Sequence, residues 1–476
     1  MMPKDEHIFG PIRLRAWLNY AAMLAIAIGL FFVIRHWGMG LESPGVAGSA
    51  GKSGVAAPAT SEALVHVLVA LTAVLVVGRL LAVFFRFVGQ PPVIGEIVAG
   101  ILLGPSLLGR VWPEGAAFVL PPSVAPNLGM IAQLGVILYM FLVGLELNPE
   151  LLRERAHSTV AISHASILAP FLLGSSLALF LYPRLSPEGV PFTSFALFMG
   201  VAMSITAFPV LARILTDRGM QKTSLGVIAL GCAATDDVTA WCLLAFVIGV
   251  AQAKVGGAFL VLGWTLAYIG FMFLMVRPVA RKFFTRFDER QLSTNLVALV
   301  FALLLASALI TEYIGIHAVF GAFLAGAIIP HDSAIARALT QRLEALVTVL
   351  LLPAFFAFTG MRTQIGLVSG YEQWLICGLI ILVATAGKFG GTLAAARLTG
   401  MNWRDSTALG LLMNTRGLME LIVLNIGLDM GVISPALFAM MVVMALVTTM
   451  AASPFLPRIA LTQSVEDRAA AIYSPP

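Results

Sequence analysis

The run TSLGVIALGCAATDDVTAWCLLAFVIGV, residues 223–250, is apolar except near its middle, where Asp236 and Asp237 stand side by side as its only charged residues. Read as a helix, the run places both carboxylates near the centre of a bilayer. Each charge there costs at least ~2.5–3.5 kcal/mol on insertion scales. A structural bridge needs one acid, not two. The pair therefore marks the candidate functional site.

The rest of the chain supplies the membrane setting. Of its 476 residues, 59% are hydrophobic and 11% charged, against roughly 25% charged in soluble domains. Fourteen apolar segments are long enough to cross or nearly cross a bilayer. They run over 17–35, 63–87, 92–108, 126–147, 158–182, 192–215, 222–250, 257–276, 293–314, 316–330, 340–361, 372–396, 405–428 and 432–455, and the third and tenth are short. With a cytoplasmic N-terminus, twenty-one of the 29 Lys and Arg fall on the inside and six outside. This bias predicts both termini in the cytoplasm; the membrane expected is a bacterial inner (plasma) membrane. The net charge of +5 then follows from topology, with no nucleic-acid partner. Segment 17–35 is read as a retained helix rather than a signal peptide, and the Gly/Ser/Ala-rich stretch 45–59 as an external linker. Cys232, Cys242 and Cys377 lie in apolar segments and read as small core side chains.

An internal repeat organises the segments. The third reads PPVIGEIVAGILLGPSLLG and the tenth HAVFGAFLAGAIIP; both space glycines five apart (Gly95 and Gly100, Gly321 and Gly326) and reach a proline, Pro105 or Pro330. The next segments match as well, FLVGLELNPEL around Gly144 with AFTGMRTQIGL around Gly360. Segments two to seven thus align with nine to fourteen, and the eighth links them. Seven segments separate the halves, so they enter the membrane from opposite sides. Inverted repeats of this kind mark secondary transporters. The domains expected are 1–62 (extra helix and linker), 63–250 (first repeat), 251–292 (linker helix and basic loop), 293–455 (inverted second repeat) and 456–476 (tail).

Two repeat-equivalent segments carry polar interruptions. Segment six holds Ser204, Thr206 and Pro209, and segment thirteen holds Asn414, Thr415, Arg416 and Gly417. Proline removes a backbone donor, and hydroxyls can satisfy freed carbonyls. Polar clusters at that depth are costly unless they line a cavity. Paired broken helices are expected, with the interruptions crossing.

Asp236 lies about 14 residues into its segment, roughly 21 Å along it. Lys388 reaches a similar depth from the opposite end of segment twelve. Adjacent helical residues point about 100° apart, so one aspartate can pair with Lys388 while the other faces a cavity. A partly desolvated carboxylate holds its proton tightly. A dehydrated cation can replace that proton, because it also neutralises the carboxylate. Competition at a site open to one side at a time is antiport. Oxygen ligands suit hard cations such as Na⁺ or K⁺. Arg416 and Glu420, four residues apart, read as an intrahelical pair. Glu96 and Glu146 sit near segment ends, and His317, beside Glu312, reads as a boundary or cap. Adjacent aspartates on one helix argue against an intramembrane aspartyl protease, which needs them on separate helices. The remaining alternative is a channel or solute transporter on the same repeat fold.

At these residues the chain resembles the monovalent cation:proton antiporter-2 family, most closely its CHX-type branch and bacterial relatives. QPPVIGEIVAGILLGPSLLG, SITAFPVLARIL, TDDVTAWCLL, GIHAVFGAFLAG, LLPAFFAFTGMRT and MNTRGLMELIVLNIG occur in order across residues 63–455. The resemblance implies an all-α fold with two crossed discontinuous helices, a homodimer and elevator-like alternating access. It implies Asp237 as ion and proton carrier, Asp236 as its partner, Lys388 as the basic residue, and Ser204, Thr206 and Asn414 lining the crossing. With Asp236 and Lys388 both present, electrogenic exchange is expected. No cofactor is expected beyond the transported ions, H⁺ and Na⁺ or K⁺. The family's long members carry a large C-terminal domain, and the twenty or so residues after Pro454 are too few for one.

Overall fold

The computed structural model describes residues 11–41, 60–146, 156–220, 223–252, 257–284 and 293–460. The expected linker 45–59, the basic loop 285–292 and the tail beyond 460 lie outside the described residues. Among the described residues every regular element is helical. The first four long helices are α1 (Pro11–Gly38), α2 (Thr60–Phe87), α3 (Pro92–Leu103) and α4 (Ala125–Glu146). Then follow α5 (Ala156–Leu185), α6 (Phe192–Ser204), α7 (Phe208–Asp217) and α8 (Ser224–Gln252). A linker rod comprises α9 (Gly257–Phe271), a π-turn and α10 (Arg277–Phe284). The second half holds α11 (Thr294–Ile314), α12 (Ala318–Ala327), α13 (Ala334–Leu346) and, after another π-turn, α14 (Leu352–Arg362). It ends with α15 (Gly370–Leu398), α16 (Trp403–Met413), α17 (Leu418–Asp429) and α18 (Pro435–Ala460).

Among the described residues, ten helices are long and apolar enough to cross a membrane. They become eleven if α16 and α17, bent by 44° at a short break, form one span. The stretches Ala22–Gly38, Phe192–Ser204 and Ala318–Ala327 are apolar but shorter. The fourteen crossings expected from the sequence thus include three that length alone does not establish.

The helices form two groups. α2, α3, α4, α11, α12 and α14 pack on one another, and α5 to α8 pack with α15 to α18. Each half of the sequence contributes to both groups. The spaced glycines show why the halves fold alike. A Cβ on Gly95 would lie 2.6 Å from the α2 backbone, and one on Gly100 would lie 2.1 Å from the carbonyl oxygen of Phe356 on α14. In the other half, a Cβ on Gly321 would meet the Ser307 carbonyl on α11 at 2.2 Å, and one on Gly326 the Phe141 carbonyl on α4 at 2.2 Å. Both short helices therefore use one glycine to approach the preceding helix and the next to approach a helix of the other half. Backbones this close leave no room for any side chain.

Candidate ion site at the interrupted helices

Both expected interruptions are present. α6 ends at Ser204, residues 205–207 are non-helical, and α7 starts at Phe208. Pro209 is the second residue of α7 rather than the break itself. Proline is tolerated in a first turn because its missing N–H would lack an intrahelical partner there. α16 ends at Met413, and α17 starts after Gly417. The two breaks meet: Ala207 N–H donates to the Thr415 carbonyl at 3.0 Å, and the Thr206 hydroxyl donates to the Met413 carbonyl at 3.1 Å.

Carbonyls at the end of α6 carry the negative pole of its dipole. Two cations meet them. Lys388 Nζ donates to Ser204 O at 2.6 Å. Arg416 donates to Met203 O at 2.7 Å and Ala202 O at 3.2 Å. Arg416 therefore serves the neighbouring half-helix. Its ion pair with Glu420 is present but long, at 3.3 Å, and Arg416 precedes the first residue of α17. The expected intrahelical pair is thus a bridge from the break into a first turn. Glu420 places its carboxylate in that first turn, where an acid complements the N-terminal pole. The Thr415 hydroxyl is turned back onto Leu412 O at 2.8 Å. Asn414 is buried, and its Oδ1 has no partner among the described residues.

The two aspartates differ completely in their surroundings. Asp236 is fully buried and accepts from Lys388 Nζ at 2.7 Å, Ser163 Oγ at 2.6 Å, Ser166 Oγ at 2.9 Å and Thr206 Oγ1 at 2.9 Å. Desolvating two ions costs several kcal/mol each, and a pair is held only when further hydrogen bonds fill the remaining positions. Three hydroxyls do so here. Asp237 is 3% exposed, and no hydrogen bond reaches either of its oxygens among the described residues. Asp236 is held by α5, α15 and the break after α6, all in its own helix group.

Ser163 and Ser166 were not singled out from the sequence. The signal was available: two serines three apart in an apolar segment share a helix face. What the sequence hides is that this face meets α8. The Ser204 hydroxyl, expected at the crossing, instead donates to Gly200 O at 2.6 Å and Ile167 O at 3.0 Å. His317 occupies the N-cap position of α12 without a side-chain cap. Glu312 supplies the cap, accepting from Ala318 N–H at 2.7 Å. Among the described residues no cluster of three His, Cys, Asp or Glu could hold a metal ion.

Comparison with known proteins agrees with this architecture. Residues 67–461 match the family described as sodium/hydrogen exchanger, transmembrane, and the chain belongs to that family. It is 43% identical to the Na(+)/H(+) antiporter NhaS4 of Synechocystis, over 83% of this chain and 97% of that protein. It is 41% identical to cation/H(+) antiporter 17 of Arabidopsis thaliana, over 80% of this chain, and 32% identical to the K(+)/H(+) antiporter 1 of Saccharomyces cerevisiae, over 80%. The chain spans about half the length of these last two relatives, 47% and 45%. The solved structure of the sodium proton antiporter MjNhaP1 from Methanocaldococcus jannaschii at pH 8 shares the fold. Its TM-score is 0.61 at 16% identity, covering 84% of this chain and 99% of that one.

Proposed function

We propose that this chain is a secondary antiporter exchanging a monovalent cation, Na⁺ or K⁺, for protons by alternating access. Asp237 is the carboxylate that binds cation and proton in turn. One observation carries the reading: Asp237 is a buried carboxylate without a hydrogen-bond partner among the described residues, beside an Asp236 whose oxygens are already taken. A buried charge without a partner is too costly to keep, so Asp237 must be neutralised by a proton or by a cation. Asp236 and Lys388 form the fixed pair beside it, and Thr206 and Asn414 border the crossing. Exchange is electrogenic, the protein is a homodimer in a bacterial inner membrane, and both termini are cytoplasmic. These last assignments rest on the family resemblance and on the Lys and Arg bias between loops.

The test is exchange in proteoliposomes, with Na⁺, K⁺ and Li⁺ assayed separately, with and without an imposed potential. Cation-driven proton movement that responds to the potential is expected. Cation flux without proton movement would favour a channel instead. Because proton and cation neutralise the same oxygens, lowering the pH should weaken the apparent cation affinity. A pH-independent affinity would contradict a shared site.

A further inference from the structure

Alternating access requires the two helix groups to shift against each other. Side chains that tie the groups at one end therefore help decide which mouth is shut. α14 belongs to the first group and α17 to the second, and they meet at their C-terminal ends. Asn425 on α17 is 6% exposed and Thr359 on α14 is 1% exposed. The Asn425 amide nitrogen donates to Thr359 Oγ1 at 2.9 Å. Arg362 Nη1 donates to the Asn425 amide oxygen at 3.1 Å, and Arg362 Nη2 donates to Asp429 Oδ1 at 2.5 Å. The second Asn425 N–H returns to Leu421 O within α17, so the amide is used on every side. The Arg362 guanidinium also lies over the Phe358 ring at 5.1 Å.

A small cavity lined by Gln133, His317, Phe355, Phe358, Asn425 and Asp429 borders the tie. The ion pair is part exposed, at 22% for Arg362 and 49% for Asp429. Exposed pairs add little stability, so this one can break and re-form in each cycle. At the opposite end of the molecule, Gln90 Nε2 donates to the Met450 carbonyl at 3.3 Å across the two groups, a neutral bond.

We propose that Arg362, Asp429, Asn425 and Thr359 form a latch that holds this end of the transporter shut, and that the latch opens when the ion site turns toward it. The inference rests on the alternating-access reading above. On the positive-inside topology the latch lies at the external face.

Two arms test it in reconstituted protein. In the first, Cys232, Cys242 and Cys377 are replaced by alanine and Thr359→Cys is combined with Asn425→Cys. Oxidation, verified by thiol titration, should lower exchange at least about tenfold by removing one of the two states, and reductant should restore it. Undiminished exchange in cross-linked protein overturns the latch. The second arm uses Arg362→Gln and Asp429→Asn, which leave Asp237 and its neighbours intact. Freeing the latch raises the population open to that side, so apparent affinity for cation supplied there should rise by about three- to tenfold. Affinity unchanged on both sides overturns the proposal, even if the cysteine variant folds poorly. The unsubstituted chain is the control. If it shows no cation–proton exchange, the functional reading fails and the latch with it; if it exchanges while both arms stay unchanged, the latch alone fails.

Discussion

The two interrupted helices meet break to break, yet their exposed ends are neutralised differently. The carbonyl end of α6 receives two full cations, Lys388 at Ser204 and Arg416 at Met203 and Ala202. The carbonyl end of α16 receives hydroxyls, Thr206 at Met413 and Thr415 at Leu412. Two half-helix ends of similar polarity are thus treated as unequal. The difference follows from what lies beside each. Lys388 bridges the α6 end to Asp236, so one ammonium serves a helix dipole and a carboxylate together. Arg416 links the same end to Glu420 at the start of α17. Positive charge is thereby committed to fixed structure, and among the described residues no Lys or Arg hydrogen-bonds Asp237.

The largest expected effect tests that last step. Asp237→Asn should lower cation–proton exchange by at least about 100-fold, with the protein still eluting as a folded species from size-exclusion chromatography. Full exchange would return the carrier role to Asp236. Next, Arg416→Met leaves three carbonyl and carboxylate groups short of a donor. Removing one partner of a buried pair is expected to destabilise by about 3–5 kcal/mol, read as a fall in the thermal midpoint in detergent. Thr206→Val removes the hydroxyl from both the Met413 carbonyl and Asp236, and should destabilise by about 1–3 kcal/mol. If Thr206→Val proved as damaging as Arg416→Met, the asymmetry between the breaks would be wrong. The smallest effect is expected from Ser163→Ala. Asp236 keeps Lys388, Ser166 and Thr206, so exchange should stay within about threefold of the parent and stability should fall by about 1–2 kcal/mol.

The depth of Asp236 and Lys388 was legible in the sequence because it needs only counting along helices, and their contact at 2.7 Å agrees with that count. The glycine spacing was equally legible, since five residues fix which faces of a short helix approach a neighbour. The role of Arg416 was not. Residues four apart suggested a helical pair, but the chain leaves the helix between Met413 and Leu418. The guanidinium then finds stronger acceptors in carbonyls more than two hundred residues earlier. The serines on α5 escaped for a related reason: polar residues in an apolar segment say nothing about which helix they face.

Composition, hydropathy and the paired aspartates determined by themselves that this chain lives in a membrane and places charge at its centre. They did so because the bilayer penalises charge locally, whatever the fold. Only the tertiary structure decided how the two acids divide. Asp236 turns into its own group, where Ser163 and Ser166 from α5, Lys388 from α15 and Thr206 from the break after α6 converge, while among the described residues no hydrogen bond reaches Asp237. That division depends on which distant helices supply donors, and no local property of the sequence carries it.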